Sequence, residues 1–241
     1  MNPERSLWGL LAYGDAGYGD EFLNGAFLTI QLSIASYLVA FVLGLLGAGA
    51  KLSGNKFLYR LGDLYTTLVR AIPELLLIIL IYYAGGSVIR SLLIGIGVVE
   101  EDFQVNAFAT VVAALGLIYG AYLTDILRGA IQAIPKGQLE AARAYGMHAP
   151  LRFTRIIFPQ MIRYAIPGMG NQWLNITKDS SLVSVVGAFE LVFAAKSAAS
   201  ATKEYLFFYS IGALCFLTIT VVSMIALHQI ERRASRGVRR A

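Results

Sequence analysis

Charged side chains are scarce in this sequence. Asp, Glu, Lys and Arg account for 15% of its 241 residues, whereas they form about 25% of an average soluble domain. Hydrophobic residues account for 57%, and the mean hydropathy is +0.63. These values exclude disorder, a coiled coil and collagen. A soluble enzyme is also disfavoured, because the apolar runs are too long for strands or ordinary core helices. We therefore expect an all-α, polytopic membrane protein.

Cysteine and histidine are nearly absent, with one cysteine and two histidines. Cys215 cannot form an internal disulfide, and no cluster of His, Cys and carboxylates indicates a metal site. The Gly-x4-Gly-Lys-Ser/Thr pattern of a nucleotide-binding loop does not occur either. We therefore expect a chain that is not an enzyme and holds no cofactor or metal of its own.

Long charge-free runs predict where the chain crosses the bilayer, since a spanning helix needs about 20 residues. Three runs satisfy this directly: 22–50, 103–124 and 205–230. Two weaker candidates are 71–89 and 160–195, the latter interrupted by Pro167, Lys178, Asp179 and Glu190. Together these runs predict five transmembrane helices.

Basic residues are distributed unevenly between the connections. Most of the 20 lie between the first and second spans, between the third and fourth, or in the tail. Because Lys and Arg are enriched in cytoplasmic loops, the N-terminus should be outside and the C-terminus inside. The sequence thus predicts a short extracytoplasmic segment (1–21), a transmembrane domain (22–230) and a basic cytoplasmic tail (231–241).

Small residues and one charge pair predict how the spans pack. Gly44, Gly47 and Gly49 lie close together, and Gly116 and Gly120 share a face of the third span. Such spacing lets helices approach closely, and packing within the chain is favoured over dimerisation through these residues. Asp125 and Arg128, three residues apart at the inner end of that span, are expected to pair.

The cytoplasmic connection at 135–159 is too polar to cross the membrane. Pro135 and Gly137 should break the preceding helix, and 139–145 should form a short helix that Gly146 ends. A second short helix is expected over 150–157, and Pro159 suits the first turn of the next helix. Two such helices at the membrane surface should dock onto a partner.

The spacing within this connection resembles the cytoplasmic Glu-Ala-Ala loop of ABC importer permeases. It comprises Glu140, Ala141, Ala142, Gly146, Ile156, Phe158 and Pro159, with Phe158 where the family pattern has Leu. Other segments within about 22–236 are similar to the permeases of polar amino acids: 68–73, 121–122, 128–130, 136–138 and 178–184. Residues 170–171, Trp173 and 231–233 are similar to the branch for histidine, arginine, lysine and opines.

This resemblance implies a permease subunit of an ATP-driven importer in the bacterial inner membrane. The implied cargo is a polar, basic amino acid such as histidine, arginine, lysine or ornithine, or an opine. The implied partners are a second permease (the same chain or a similar one), two ATPase subunits that bind the ATP, and an extracytoplasmic binding protein. The implied coupling residues are Glu140, Ala141, Ala142, Gly146, Ile156 and Pro159.

Polar residues in the fourth predicted span are candidates for a substrate path. They are Asn171, Gln172, Asn175, Lys178, Asp179 and Ser180. Asn171, Asn175 and Lys178 or Asp179 share one helical face, and polar groups within spans are normally turned toward protein or water. The alternative is that Lys178 and Asp179 form only a local ion pair. The position of Gln172 holds an acid in some relatives that carry arginine, whereas here it is neutral.

Two other classes of protein remain as alternatives. A membrane-embedded enzyme would need a nucleophile and base, or metal ligands, within the spans, and the sequence shows neither. A secondary transporter would be expected to have inverted repeats and more spans. Both alternatives are therefore less well supported than an importer permease.

Overall fold

The computed structural model describes residues 7–14, 17–95 and 106–234, and within these residues the chain is helical without strands. The helices are α1 (Gly19–Leu52), α2 (Lys56–Ala71), α3 (Glu74–Leu80), α4 (Gly86–Gly95), α5 (Ala107–Gln132), α6 (Lys136–Ala144), α7 (Ala149–Arg152), α8 (Phe158–Asp179), α9 (Leu191–Thr202) and α10 (Tyr205–Ala234). Residues Leu7–Leu11 and Ser180–Val186 adopt the tighter 3-10 helix, and residues Ile81–Gly85 and Phe153–Ile157 adopt the wider π-helix.

Three helices are long and apolar enough to cross a membrane. They are α1, α5 and α10, with 34, 26 and 30 residues, and they confirm the three strongest predicted spans. The first residues of one of those spans, 103–105, lie outside the described residues. The number of candidate spans rises to five if each of two bent helix pairs is one span: Lys56–Ala71 with Glu74–Val88, and Ala149–Val186 with Leu191–Thr202. The orientation of the spans stays a prediction.

The break in the fourth candidate span lies after α8 and not at its proline. Pro167 is inside α8, which continues to Asp179. The chain turns at Gly187, whose φ of 85° is left-handed, and restarts at Glu190. The buried Glu190 carboxylate accepts hydrogen bonds from the backbone N–H groups of Val192 (2.8 Å) and Phe193 (3.0 Å), which caps the start of α9. The expected interruption is thus present, and Glu190 marks it as predicted. Pro167 does not interrupt α8, and Gly187, where the chain turns, was not anticipated.

The described residues form two compact units, and α1, α5, α8 and α10 contribute to both. The first unit comprises the described residues of Met1–Tyr37, Pro73–Leu115 and Asn175–Val222. Its core consists of Phe22, Leu191, Ala195, Ala198, Ala199 and Phe208. Gly25 allows α1 to approach α9, because a Cβ on Gly25 would stand 3.0 Å from the Leu191 Cα. The Thr29 hydroxyl accepts a hydrogen bond from the Leu191 N–H at 3.3 Å.

The second unit comprises the described residues of Leu38–Ile72, Gly116–Leu174 and Ser223–Ala241. Its core contains Ala48, Leu127, Ala130, Met161 and Ala165. Most of these side chains are small, so the backbones of their helices can approach closely.

Glycines make the contact between α1 and α5 in the second unit. A Cβ on Gly44 would stand 2.7 Å from Leu123 Cβ, and one on Gly47 would collide with the Thr124 side chain. A Cβ on Gly120 would likewise stand 2.8 Å from Leu43 Cβ. The predicted packing within the chain is therefore confirmed for these glycines.

Candidate translocation and coupling sites

The first predicted coupling helix is present as α6 in the second unit, but Gly137, which was expected to break the preceding helix, lies inside α6. It begins at Lys136, after Pro135 (φ −57°, ψ 127°), and its last carbonyls are capped by backbone groups. The Gly146 N–H donates to the Arg143 carbonyl at 2.9 Å, and the Met147 N–H donates to the Ala142 carbonyl at 3.0 Å. These bonds form a Schellman motif, which needs a left-handed residue after the helix. Gly146 has a φ of 73°, so its predicted role as the helix end is confirmed.

The second predicted coupling helix is not separate from the following span. His148 caps α7, with Nδ1 accepting from the Leu151 N–H at 3.4 Å. The chain then runs through the wide turn 153–157 directly into α8. Residues 150–157 are therefore helical, as predicted, but the prediction of a separate short helix is wrong. The Gln160 side-chain amide donates to Gln138 Oε1 at 2.6 Å, which ties the start of α8 to α6.

The candidate coupling residues differ in exposure. Glu140, Ala141, Gly146 and Pro159 are exposed, Ile156 is half-buried, and Ala142 is buried within its own unit. Within the described parts of the chain, the Glu140 carboxylate makes no hydrogen bond or ion pair. Glu140 and Ala141 therefore present a free carboxylate and a small side chain on the accessible surface of α6.

The candidate path residues on α8 also differ in their surroundings. In the second unit, Asn171 is exposed and Gln172 is half-buried. In the first unit, Lys178 is exposed, whereas Asn175 and Asp179 are half-buried. Ser180 is fully buried, and its hydroxyl donates to the Thr177 carbonyl at 2.7 Å.

Asn171 lines a cavity of about 270 Å³ in the second unit. The other lining residues come from α8 and α10: Pro167, Gly170, Leu174, Met224, Leu227, His228 and Glu231. Sequence reasoning did not associate His228 or Glu231 with Asn171, because they are more than fifty positions apart in the chain. The sequence indicated only that Asn171, His228 and Glu231 are polar residues at or near predicted spans.

An ion-pair network around the buried Lys51 in the second unit was missed by sequence reasoning. The Lys51 side chain is only 3% exposed, and its Nζ lies 2.6 Å from Thr66 Oγ1, 3.2 Å from Asp63 Oδ1 and 3.0 Å from Asp125 Oδ1. The Arg70 guanidinium contacts the other Asp125 oxygen at 2.5 Å. The network therefore joins the end of α1 to α2 and α5.

Arg128 does not belong to this network, so its predicted pairing with Asp125 is wrong. Its guanidinium stands over the Tyr59 ring at 5.9 Å, and its buried Nε has no hydrogen-bond partner among the residues that the structure describes. Asp125 instead binds the two cations that reach it from α1 and α2. A pairing rule for one helix could not anticipate partners 74 and 55 positions away in the chain.

The local sequence of α2 explains how Lys51 is accommodated. Gly62, Thr66 and Val69 are its buried residues and recur at helical spacing on one face. A Cβ on Gly62 would stand 3.1 Å from Lys51 Cγ, so glycine leaves room for the lysine stem. Thr66 then supplies a hydroxyl to the ammonium group. This small, polar face was the signal that could have indicated the network.

Residues 40–236 match the protein family described as "Binding-protein-dependent transport system inner membrane component". The chain belongs to this family. It is therefore an inner-membrane permease subunit, as the sequence predicted. The relatives are transport permeases, which agrees with a chain that is not an enzyme. No group of three or more His, Cys, Asp or Glu residues suited to a metal ion occurs in the part of the chain that the structure describes.

Curated relatives match nearly the whole permease. It is 41% identical to the nopaline transport system permease protein NocQ of Agrobacterium fabrum over 95% of this chain and 98% of that protein. It is also 41% identical to the histidine/lysine/arginine/ornithine permease HisQ of Escherichia coli, over 93% of this chain and 98% of that protein. The octopine permease OccQ of Rhizobium radiobacter is 39% identical over 96% and 97%.

Solved structures share the fold. A crystal structure of an amino acid ABC transporter with histidines superimposes with a TM-score of 0.75 at 30% identity, covering 90% of this chain and 95% of that one. The methionine ABC transporter MetNI superimposes with a TM-score of 0.73 at 16% identity, covering 90% and 97%. The predicted fold class, a helical ABC-transporter permease, is thereby confirmed.

Proposed function

We propose that this permease imports basic amino acids or opines in an ATP-driven ABC transporter. The named cargoes of NocQ, HisQ and OccQ support this substrate class. The observation that carries the coupling role is the surface helix α6, ended by a left-handed Gly146 and presenting a free Glu140 carboxylate. The proposal includes the predicted division of the chain into an extracytoplasmic segment (1–21), a transmembrane domain (22–230) and a cytoplasmic tail (231–241).

The proposed partners are two ATPase subunits, a second permease subunit and an extracytoplasmic binding protein. Because this chain lacks a nucleotide-binding loop, ATP binds to the ATPase subunits and the permease itself has no ATPase site. Glu140 faces a cation on the ATPase, and Ala141 allows close approach. Ala142 packs α6 against the rest of its unit. Gly146, Ile156 and Pro159 set the direction of the chain that follows α6.

The proposed path uses the polar residues of α8. Asn171, Gln172, Asn175, Lys178 and Asp179 supply exposed or half-buried polar groups, whereas Ser180 supports the end of the helix through its bond to Thr177. No covalent step occurs in this chain. ATPase closure moves the permease as a rigid body and exposes the path to alternate sides of the membrane.

Gly146→Ala tests the coupling role. An alanine at φ 73° costs about 1–2 kcal/mol, so the end of α6 should shift. We expect normal membrane insertion but weaker co-purification of the ATPase subunits and lower substrate-stimulated ATP hydrolysis. Gly146→Asn should recover part of both, because asparagine tolerates left-handed backbone.

Gly49→Ala in α1 is the matched control outside the coupling segment. Its added Cβ meets nothing within 4 Å, so co-purification and hydrolysis should stay at the wild-type level. Wild-type co-purification and substrate-stimulated hydrolysis in Gly146→Ala would show that the end of α6 has no role in coupling. A wild-type permease that co-purifies with no ATPase, or an assembled transporter that takes up no amino acid, would overturn the proposed function.

A further inference from the structure

Helix α2 carries an apolar stripe that the described chain leaves exposed. The stripe consists of Phe57, Leu61, Leu64 and Leu68, which recur at helical spacing and are 67%, 48%, 56% and 52% exposed. The helix has only 16 residues and includes several charged ones, so it is too short and too polar to cross a bilayer by itself. An apolar stripe on such a helix is typical of an interaction surface.

A different face of α2 is fixed against the second unit, and this sets the direction of the apolar stripe. Gly62 and Thr66 are buried, and the Thr66 hydroxyl lies 2.6 Å from the Lys51 ammonium group. The Tyr65 hydroxyl donates a hydrogen bond to the Leu117 carbonyl of α5 at 2.5 Å. These contacts hold α2 in one rotation about its axis, so the apolar stripe points away from the unit.

Two cations border the apolar stripe. Lys56 and Arg60 are exposed, and neither forms an ion pair or hydrogen bond with the residues that the structure describes. At 3.6 residues per turn they lie one turn apart, beside the same edge of the stripe. Arg70 at the end of the helix is instead paired with Asp125. Lys56 and Arg60 are therefore available to an anionic partner of the stripe.

We propose that α2 lies along the membrane surface predicted to be cytoplasmic and binds anionic phospholipids, with Lys56 and Arg60 on the lipid phosphates. Amphipathic helices with basic residues beside an apolar face lie in this way, with the apolar face about 5–10 Å into the boundary between headgroups and acyl chains. The stems of Lys and Arg then extend to the level of the phosphates. The location of α2 agrees, because the second predicted span starts at 71, where the helix ends.

The charges favour lipid over a second copy of the permease as the partner of the stripe. A symmetric contact between two α2 helices would bring Lys56 and Arg60 of both copies to one apolar patch. Asp63 is the only acidic residue of α2, and its carboxylate is engaged by Lys51 at 3.2 Å. It is therefore not free to neutralise these cations, whereas negatively charged headgroups are.

Brominated lipids, which quench fluorescence on contact, test where the stripe lies. Leu64→Cys in a Cys215→Ser background is labelled with bimane, and the purified permease with its co-purifying subunits is placed in lipid nanodiscs. We expect bromines near the headgroup to quench the label more strongly than bromines near the end of the acyl chain, because an interfacial helix stays shallow. Thr67→Cys, exposed on the polar side of α2, is the control and should be quenched little by either lipid.

Lipid headgroups test the role of the two cations. Quenching of the label at Leu64→Cys is compared between brominated phosphatidylglycerol, which is anionic, and brominated phosphatidylcholine, which is zwitterionic. We expect phosphatidylglycerol to be preferred by about fivefold or more, since each basic residue near an anionic surface contributes a factor of about five. Adding Lys56→Gln and Arg60→Gln together should reduce the preference to near unity.

Lys196→Gln with Lys203→Gln is the charge-matched control. Both lysines are exposed and belong to the first unit, so the preference for phosphatidylglycerol should be unchanged. Each result is a ratio between two lipids and does not depend on the yield of folded protein. A ratio near unity without any charge substitution, or an equal loss in both double variants, would overturn the anionic-lipid site on α2.

The depth measurement can contradict the proposal independently. Stronger quenching of Leu64→Cys by the deep bromines would place the stripe in the hydrocarbon core and not at the surface. An absence of quenching by every brominated lipid would show that a protein surface, such as a second permease, covers the stripe. Either outcome would overturn the membrane-surface position of α2, and neither would alter the proposed transport function.

Discussion

At the scale of single residues, Lys51 shows how a charge is held inside this protein. An unpaired ammonium group removed from water would be strongly unfavourable. Here it contacts one hydroxyl and two carboxylates, and Asp63 and Asp125 remain partly exposed at 50% and 31%. Water can therefore still solvate the anions while the lysine is buried. The three contacts orient α1, α2 and α5 toward one another.

Removing the lysine should destabilise the permease. We expect Lys51→Met to lower the free energy of unfolding by about 2 kcal/mol, less than for a fully buried pair because both carboxylates keep solvent contact. The measurement is thermal unfolding in detergent, followed by circular dichroism. Lys56→Met is the control, because Lys56 is exposed and outside the network, and it should change stability by less than about 0.5 kcal/mol. Equal unfolding temperatures for Lys51→Met and the wild type would mean that the network contributes nothing.

The sequence could predict some single-residue features but not this network. Gly146 was predictable because a glycine after a short run of helix-forming residues indicates a left-handed cap. The partners of Asp125 were not, because they depend on how three helices pack and not on spacing within one helix. The grouping of Asn171 with Glu231 likewise required the approach of α8 to α10.

At the scale of helices, α1 and α5 meet through positions without side chains. Gly44 and Gly47 lie beside Leu123 and Thr124, whereas a Cβ on Gly49 would meet nothing within 4 Å. Two glycines on the same helix, two residues apart, therefore have different roles. Gly47 is required for close approach, and Gly49 only adds flexibility to the unfolded chain.

Alanine substitutions distinguish these two roles. Gly47→Ala forces a methyl group into the Thr124 side chain and should cost about 1–3 kcal/mol through overpacking. Gly49→Ala should be neutral or stabilise the helix by up to about 1 kcal/mol, since alanine favours helix more than glycine. Thermal unfolding of both variants in detergent provides the comparison. A Gly47→Ala variant as stable as Gly49→Ala would show that the two helices separate easily at this point.

Helix boundaries were predictable where composition changes sharply and not where the chain bends within an apolar region. The long apolar runs gave α1, α5 and α10 directly. In the fourth candidate span, Pro167 suggested a break, yet α8 passes through it. A proline removes one hydrogen bond and tends to kink a helix, and packing of the surrounding turns can outweigh this effect. Asp179 and Glu190, which the sequence also indicated, do mark the end of α8 and the start of α9, whereas the turn at Gly187 was not anticipated.

At the scale of the whole molecule, basic residues are concentrated in the connections and the tail. The 20 basic residues exceed the 15 acidic ones, and most lie in the connections predicted to be cytoplasmic and in the tail. The apolar helices account for three to five spans. An odd number of spans is required if the N-terminus is outside and the C-terminus inside, so five spans and the basic connections agree with each other.

The predicted orientation can be tested with single cysteines in a Cys215→Ser background, since Cys215 is the only native thiol. Ser53→Cys and Ala149→Cys introduce thiols in exposed connections predicted to be inside, and Glu204→Cys introduces one in an exposed connection predicted to be outside. Cells are treated with a membrane-impermeant maleimide before and after permeabilisation. We expect Glu204→Cys to react in intact cells, and Ser53→Cys and Ala149→Cys to react only after permeabilisation, because basic connections are retained in the cytoplasm. Labelling of Ala149→Cys in intact cells would place the coupling segment outside, where no cytoplasmic ATPase could reach it, and would contradict both the five-span topology and the proposed coupling.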